Sequence, residues 1–106
     1  MQRKRLEYLA SAQRDLRRIA EYYIETAGTA TTARIGREIG KTILQIAEHP
    51  EIGHKLETAP YRQLVVSQYP FVILYLLTPT AARIIRILHQ AKKAALNTCF
   101  THHKTT

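Results

Sequence analysis

The fold is decided by seven consecutive apolar residues, Phe71-Val72-Ile73-Leu74-Tyr75-Leu76-Leu77. Successive side chains of a β-strand point to opposite faces, so a strand that is apolar at every position must be covered on both faces. Seven residues are also far too few to cross a bilayer, which needs about 20. This run therefore predicts the central strand of a sheet in a soluble protein.

The segments that flank the run in the second half of the chain alternate between apolar and polar residues, as half-buried strands do. Residues 61–69 form one such segment and residues 83–89 the other. Strict alternation along the last strand puts Arg83 and His89 on one face and Arg86 on the other. Short connections join only antiparallel neighbours, so we expect these strands to form an antiparallel sheet.

The first half of the chain has helical periodicity. Apolar residues recur every three or four positions from Ala12 to Ile24 and again from Ile35 to Ala47. Ser11 is suited to cap the first helix, Gly28 ends it, and Pro50 forbids continuation of the second. These two runs predict a helical hairpin.

The complete pattern predicts an α+β fold with the order β-α-α-β-β-β, in which residues 3–10 form an edge strand. The helical hairpin is expected to pack on one face of a curled antiparallel sheet. A chain of 106 residues, 45% of them apolar, can bury one core. We assign residues 1–96 to this single domain and residues 97–106 to a polar tail.

Charge is distributed unevenly along the chain. The chain contains sixteen lysines and arginines and eight acidic residues, which gives a net charge of +8, and no acidic residue follows Glu57. Such a balance favours an acidic or polyanionic partner. Cys99 is the single cysteine, which excludes an internal disulfide and favours the reducing cytoplasm.

Several kinds of chemistry are disfavoured by the sequence. Cys99, His102 and His103 form only a C-x-x-H fragment, too few ligands for a metal, so neither a metal nor another cofactor is expected. The strands in the second half contain no carboxylate for paired acid–base catalysis. None of the glycines lies in a phosphate-binding loop between a strand and a helix.

The predicted sheet carries a cationic set, namely Arg62, Arg83, Arg86 and His89, followed by Lys92 and Lys93. In a metal-independent ribonuclease a base such as His89 takes the 2′-hydroxyl proton while an arginine such as Arg62 stabilises the charged phosphorane. The alternative is that these arginines are solvent-facing strand residues that keep a sheet edge soluble.

The first helix carries a second basic cluster, in which Arg14, Arg17 and Arg18 accompany Tyr22. A basic patch with an aromatic residue is typical of nucleic-acid binders. A non-catalytic nucleic-acid-binding module that uses the second half of the chain, whose net charge is +6, is a further interpretation of the whole sequence. For the helix cluster, binding of nucleic acid is one interpretation. A solvated helix face is the other.

Four segments, in order and with matching spacing, resemble the ParE/RelE superfamily of bacterial type II toxin–antitoxin toxins over residues 5–93. They are Ala12 to Tyr22, similar to A-x-x-D-L-x-x-I-x-x-Y; Ile46 to Gly53, similar to L-x-x-x-P-x-x-G; Tyr61 to Tyr75, similar to R-x-x-x-V-x-x-Y-x-I-x-Y; and Ile84 to Gln90, similar to V-x-I-L-x-V-x-H-x. The resemblance implies a growth-arresting toxin that a cognate antitoxin neutralises in a hetero-oligomer.

Two activities occur in this superfamily, and departures from its motifs separate them. RelE-like members cleave mRNA on the ribosome and carry an arginine early on the central strand, where this chain has Val72; Leu64 replaces a second basic residue. His89 and the A-x-x-D-L helix are similar to the ParE branch, whose members poison DNA gyrase without catalysis. The resemblance therefore implies a gyrase inhibitor that binds its target through the residues of the last strand and its extension: Arg83, Arg86, His89, Lys92 and Lys93. A RelE-type ribonuclease using Arg62 and His89 is the alternative.

Overall fold

A computed structural model describes residues 3–90, which form one five-stranded sheet and a long helical segment. The elements are β1 (Arg5–Tyr8), α1 (Ala10–Glu48), β2 (His54–Lys55), β3 (Arg62–Val65), β4 (Phe71–Leu77) and β5 (Ala81–His89). The strands are ordered β1-β5-β4-β3-β2 across the sheet. The predicted α+β class is confirmed, and β4 lies at the centre with the bounds that its apolar run predicted.

Segment α1 is divided at Gly28, whose φ of 86° and ψ of 171° are not helical. A straight helix of 39 residues would measure about 58 Å, whereas the longest dimension of the molecule is 43 Å. The first arm (residues 10–27) begins directly after β1, and near the end of the second arm (residues 29–48) the Ala47 carbonyl accepts the Lys4 N–H at 2.9 Å, just before β1. The two arms therefore fold back on each other as the predicted hairpin does.

The first arm does not begin with a serine cap, as the sequence suggested. Leu9 is the N-cap and makes no side-chain capping bond, while the Ser11 hydroxyl donates to the Ile85 carbonyl at 2.6 Å. The Leu9 N–H also bonds to β5, at the Ile84 carbonyl. The prediction for Ser11 is wrong because contacts with the last strand, rather than a local cap, hold the start of this helix.

The sheet is mixed rather than wholly antiparallel. Strand β1 pairs with β5 in parallel, with Leu6 opposite Ala82, whereas the other neighbouring strands are antiparallel. The prediction of antiparallel pairing rested on the short connections between successive strands. It fails for β1 because most of the chain lies between β1 and β5, and a connection of that length can join parallel strands. Strand β2 was also missed, since its two residues lie in a stretch without periodicity.

Both arms pack on the same face of the sheet as Ile73, Tyr75 and Ile84, which are fully buried. Tyr75 also holds the loop that follows α1, because its hydroxyl donates to the Pro50 carbonyl and accepts the Gly53 N–H, both at 2.8 Å. A Cβ on Gly53 would lie only 2.5–2.9 Å from atoms of the Tyr75 ring and hydroxyl. The tyrosine beneath this loop therefore requires glycine at position 53.

A register shift between β4 and β5 changes which side chains share a face. Leu74 pairs with Arg86 but the next residue, Tyr75, pairs with Ile84, so β5 contains one extra residue at 85. Such a bulge reverses the alternation beyond it. Arg83 and Arg86 consequently lie on the same face of the sheet, and the prediction that they lie on opposite faces is wrong.

Candidate functional site

The outer edge of β5 is covered in two different ways. Strand β1 pairs with residues 81–84 and then ends. Beyond that point the first arm takes over, because Ser11 bonds to the Ile85 carbonyl and Asp15 accepts the Ile87 N–H at 2.9 Å. Two side chains of a helix thus occupy the positions of a missing strand, which satisfies backbone groups that an open edge would leave exposed.

Asp15 joins this edge to Arg86. The arginine Nε donates to Oδ2 at 2.7 Å and a terminal nitrogen donates to Oδ1 at 3.1 Å, while Asp15 is only 6% exposed. These hydrogen bonds raise the pKa of Arg86. A two-point contact of this kind is geometrically specific as well as strong. Arg86 is therefore a fixed part of the site and not a free surface cation.

Arg83 is also paired, at the surface. Its Nε donates to Glu7 at 3.0 Å, and Arg5 donates to the same carboxylate at 2.9 Å. The hydrogen bond from Arg5, followed by the one from Arg83, lowers the pKa of Glu7. Glu7 and Asp15, from the first half of the chain, thus neutralise Arg83 and Arg86 on β5. The distribution of charge along the chain does not indicate these pairs.

An open cavity of about 500 Å³ lies between the first arm and the end of β5. Aromatic rings form a continuous series along it: Tyr22 contacts Tyr23, Tyr23 contacts Phe71, and Phe71 contacts His89, each edge to face with ring centroids 4.9–6.0 Å apart. Arg18, Asp15 and Arg86 add polar groups to the lining. His89 is thereby placed with aromatic rings and a guanidinium, on the face that carries the helices.

Arg62 lies elsewhere. It sits opposite Tyr75, and its guanidinium donates to the carbonyls of Gly53 at 2.9 Å and Glu51 at 3.3 Å. His89 lies on β5, on the other side of β4, where it sits opposite Phe71. Phe71 is four residues from Tyr75 along β4. Strand geometry places the Cα atoms of Arg62 and His89 about 16 Å apart. The structure does not bring the two ribonuclease candidates together.

Comparison with known families decides the identity of the chain. A family model described as the ParE toxin of the type II toxin–antitoxin system parDE matches residues 6–94. The chain belongs to the ParE toxin family. It is the toxin of a type II toxin–antitoxin system, and the predicted ParE-like branch is confirmed. No curated protein sequence matches it significantly.

Solved structures show how widely this ParE fold is shared. A chain of the chromosomal ParDE system from P. aeruginosa superposes with a TM-score of 0.74 at 19% identity, over 81% of this chain and 95% of that one. A chain of the E. coli DinJ–YafQ toxin–antitoxin complex superposes with a TM-score of 0.58 at 14% identity, over 85% of this chain and 96% of that one. At such identities the likeness shows the fold.

Two of the predicted target-binding residues of this ParE-family chain, Lys92 and Lys93, lie outside the described residues, as do residues 97–106. Within residues 3–90 no three His, Cys, Asp or Glu side chains lie close enough to hold a metal ion. In the same range no helix is long and apolar enough to cross a membrane.

Asp15 is the site residue that sequence reasoning missed. The carboxylate belongs to the A-x-x-D-L motif, but no role was assigned to it. It lies three residues after Ala12 and four before Ile19, both on the packed face of the first arm. An acidic residue within an apolar helix face is itself an indication of a buried partner, because an unpaired buried charge is costly. The identity of that partner depends on the bulge in β5 and could not be deduced.

Proposed function

We propose that this ParE-family toxin inhibits DNA gyrase by binding it, without catalysing a reaction on nucleic acid. The separation of Arg62 from His89 carries the proposal. A metal-independent ribonuclease needs its base and its phosphate-binding cation around one phosphodiester. Here the guanidinium of Arg62 is instead bonded to two backbone carbonyls. Inhibition of gyrase by binding alone needs a complementary surface. It does not need a base and a cation placed around one phosphodiester.

The contact with gyrase is proposed at the end of β5 and its basic extension, comprising Arg83, Arg86, His89, Lys92 and Lys93. Asp15 and Glu7 hold the two arginines in fixed positions while leaving 37% of the Arg86 side chain and 50% of the Arg83 side chain exposed. Preorganised cations lose little conformational entropy on binding. Such a surface suits an acidic region of a protein target.

A cognate antitoxin is the second proposed partner. The similar chains come from a ParDE system and a DinJ–YafQ complex, which supports assembly of this toxin with an antitoxin in a hetero-oligomer. Its net charge of +8 favours an acidic partner, and exposed apolar side chains such as Tyr22 and Ile24 offer contacts for apolar residues. Both proposed partners support a location of the toxin in the cytoplasm.

The test uses the purified full chain with gyrase and relaxed plasmid, beside the same chain with ribosomes translating an mRNA. Supercoiling should be blocked, or cleaved DNA trapped, while the mRNA stays intact. Replacing His89, Lys92 and Lys93 together by alanine should relieve the inhibition. A control with His54, Arg34 and Arg37 replaced by alanine removes one histidine and two cations elsewhere and should still inhibit. Cleaved mRNA with unaffected gyrase would overturn the proposal in favour of the RelE-type activity.

A further inference from the structure

The first arm carries three arginines that have no partner among the described residues 3–90. Arg14, Arg17 and Arg18 are exposed, and within residues 3–90 none of them makes a hydrogen bond or an ion pair. In this they differ from Arg83 and Arg86, whose guanidinium groups are bound to carboxylates. The charges on the first arm are therefore available to a ligand without breaking any contact within the described part of the protein.

These arginines lead to the cavity. Arg14, Arg18 and Tyr22 follow one another at four-residue intervals, so they lie along one side of the arm with a rise of about 6 Å per step. Arg17 lies beside this row. Arg18 and Tyr22 line the cavity, and Tyr22 is 60% exposed. A row of positive charge thus ends at an accessible aromatic ring.

The ring of Tyr22 is held in place by its neighbours. It packs edge to face with Tyr23 at a centroid distance of 4.9 Å, and Tyr23 is fixed in turn by Phe71 at 6.0 Å. A supported, exposed ring next to an open cavity provides a platform on which a planar group can stack. Nucleobases that are not paired in a duplex stack on such rings with little sequence preference.

We propose that the first arm binds single-stranded nucleic acid, with phosphates on Arg14, Arg17 and Arg18 and a base stacked on Tyr22 at the mouth of the cavity. A duplex offers the same phosphates but keeps its bases stacked within the helix. An acidic peptide offers charge but no base. The combination of available guanidinium groups with an accessible ring therefore favours a single strand. This binding goes beyond the proposed contact with gyrase and uses other residues, although Arg86 and His89 line the same cavity.

The test measures the fluorescence anisotropy of a labelled oligonucleotide of about twelve nucleotides, within the usual site size, on titration with the full chain. DNA and RNA of the same sequence are compared, and the tighter one shows which kind of strand this surface prefers. Three phosphate contacts on a single strand contribute about −2 to the slope of log affinity against log salt, or about a 20-fold loss between 50 and 200 mM. Replacing Arg14, Arg17 and Arg18 by glutamine should remove that part of the slope. Tyr22→Leu should weaken binding at least about fivefold, and Tyr22→Phe should restore it.

A matched control replaces Arg34, Arg37 and Lys41 by glutamine, which removes three charges from the second arm and should leave the affinity within about twofold. Circular dichroism verifies that each variant is folded. The proposal is overturned if both triple variants lose affinity equally, if Tyr22→Leu binds like the parent, or if a duplex of the same length or polyglutamate competes as well as the single strand. Gyrase inhibition is measured separately, so either proposal can fail alone.

Discussion

Removal of the Asp15 carboxylate is expected to destabilise the toxin more than its place on a surface helix suggests. Asp15→Ala deletes two hydrogen bonds from Arg86 and the acceptor of the Ile87 N–H. A buried donor without an acceptor costs about 1–3 kcal/mol. The bonds from Arg86 contribute about 1 kcal/mol more, since its side chain is 37% exposed and water can replace part of the contact.

The sum is about 3 kcal/mol, which for a domain of this size lowers the unfolding temperature by about 15 °C. Asp15→Asn separates the two contributions, because an amide oxygen still accepts from Ile87 but carries no charge for Arg86. Its cost should be only about 1 kcal/mol. In combination with Arg86→Leu the asparagine variant should lose less than the sum of the single changes, since both remove the same contact.

Thermal and urea unfolding followed by circular dichroism measure these differences. Glu21→Ala is the control, because it removes an exposed acid from the same arm and should stay within about 0.5 kcal/mol of the parent. A cost for Asp15→Ala no larger than that of the control would refute the edge-covering role of Asp15. Equal costs for the alanine and asparagine variants would show that the charge, and not the contact with Ile87, dominates.

Three further outcomes are expected. Gly53→Ala should cost about 1–3 kcal/mol in urea unfolding, because its Cβ would overlap the buried ring of Tyr75; the same glycine substitution in a Tyr75→Leu background should cost less. Gly28→Ala should destabilise by about 1–3 kcal/mol, since its φ of 86° is unfavourable for a side chain. Glu7→Gln should reduce acid sensitivity: the pKa of Glu7 is lowered on folding, so its contribution is present above pH 4.5 and is lost as the pH falls through the folded value. Unfolding temperatures of parent and variant should therefore converge in acid.

Much of the fold follows from local patterns. The bounds of β4 were predicted because every residue from Phe71 to Leu77 is apolar, and the break at Gly28 because glycine interrupts a clear helical period. The parallel pairing of β1 could not be predicted in this way. Its partner lies at the far end of the chain, and nothing in residues 3–10 encodes which edge they join.

The site was predicted less completely than the fold. His89 was placed correctly at the end of the last strand, but the faces of Arg83 and Arg86 were not, because one extra residue at 85 reverses the alternation. A bulge depends on how two strands match in register and leaves no mark in the periodicity of either strand. The partner of Asp15 was out of reach for the same reason.

The pairing of the first strand with the last has a consequence for how the toxin folds during its synthesis. During synthesis the helical arms emerge from the ribosome while residues 81–89 have not yet been made, so β1 has no partner and the Asp15 carboxylate has no strand to cover. Native contacts between distant parts of the chain form late and slowly. The surface proposed to meet gyrase therefore assembles only after residues 81–89 have been synthesised, and a nascent chain that lacks them does not yet present it.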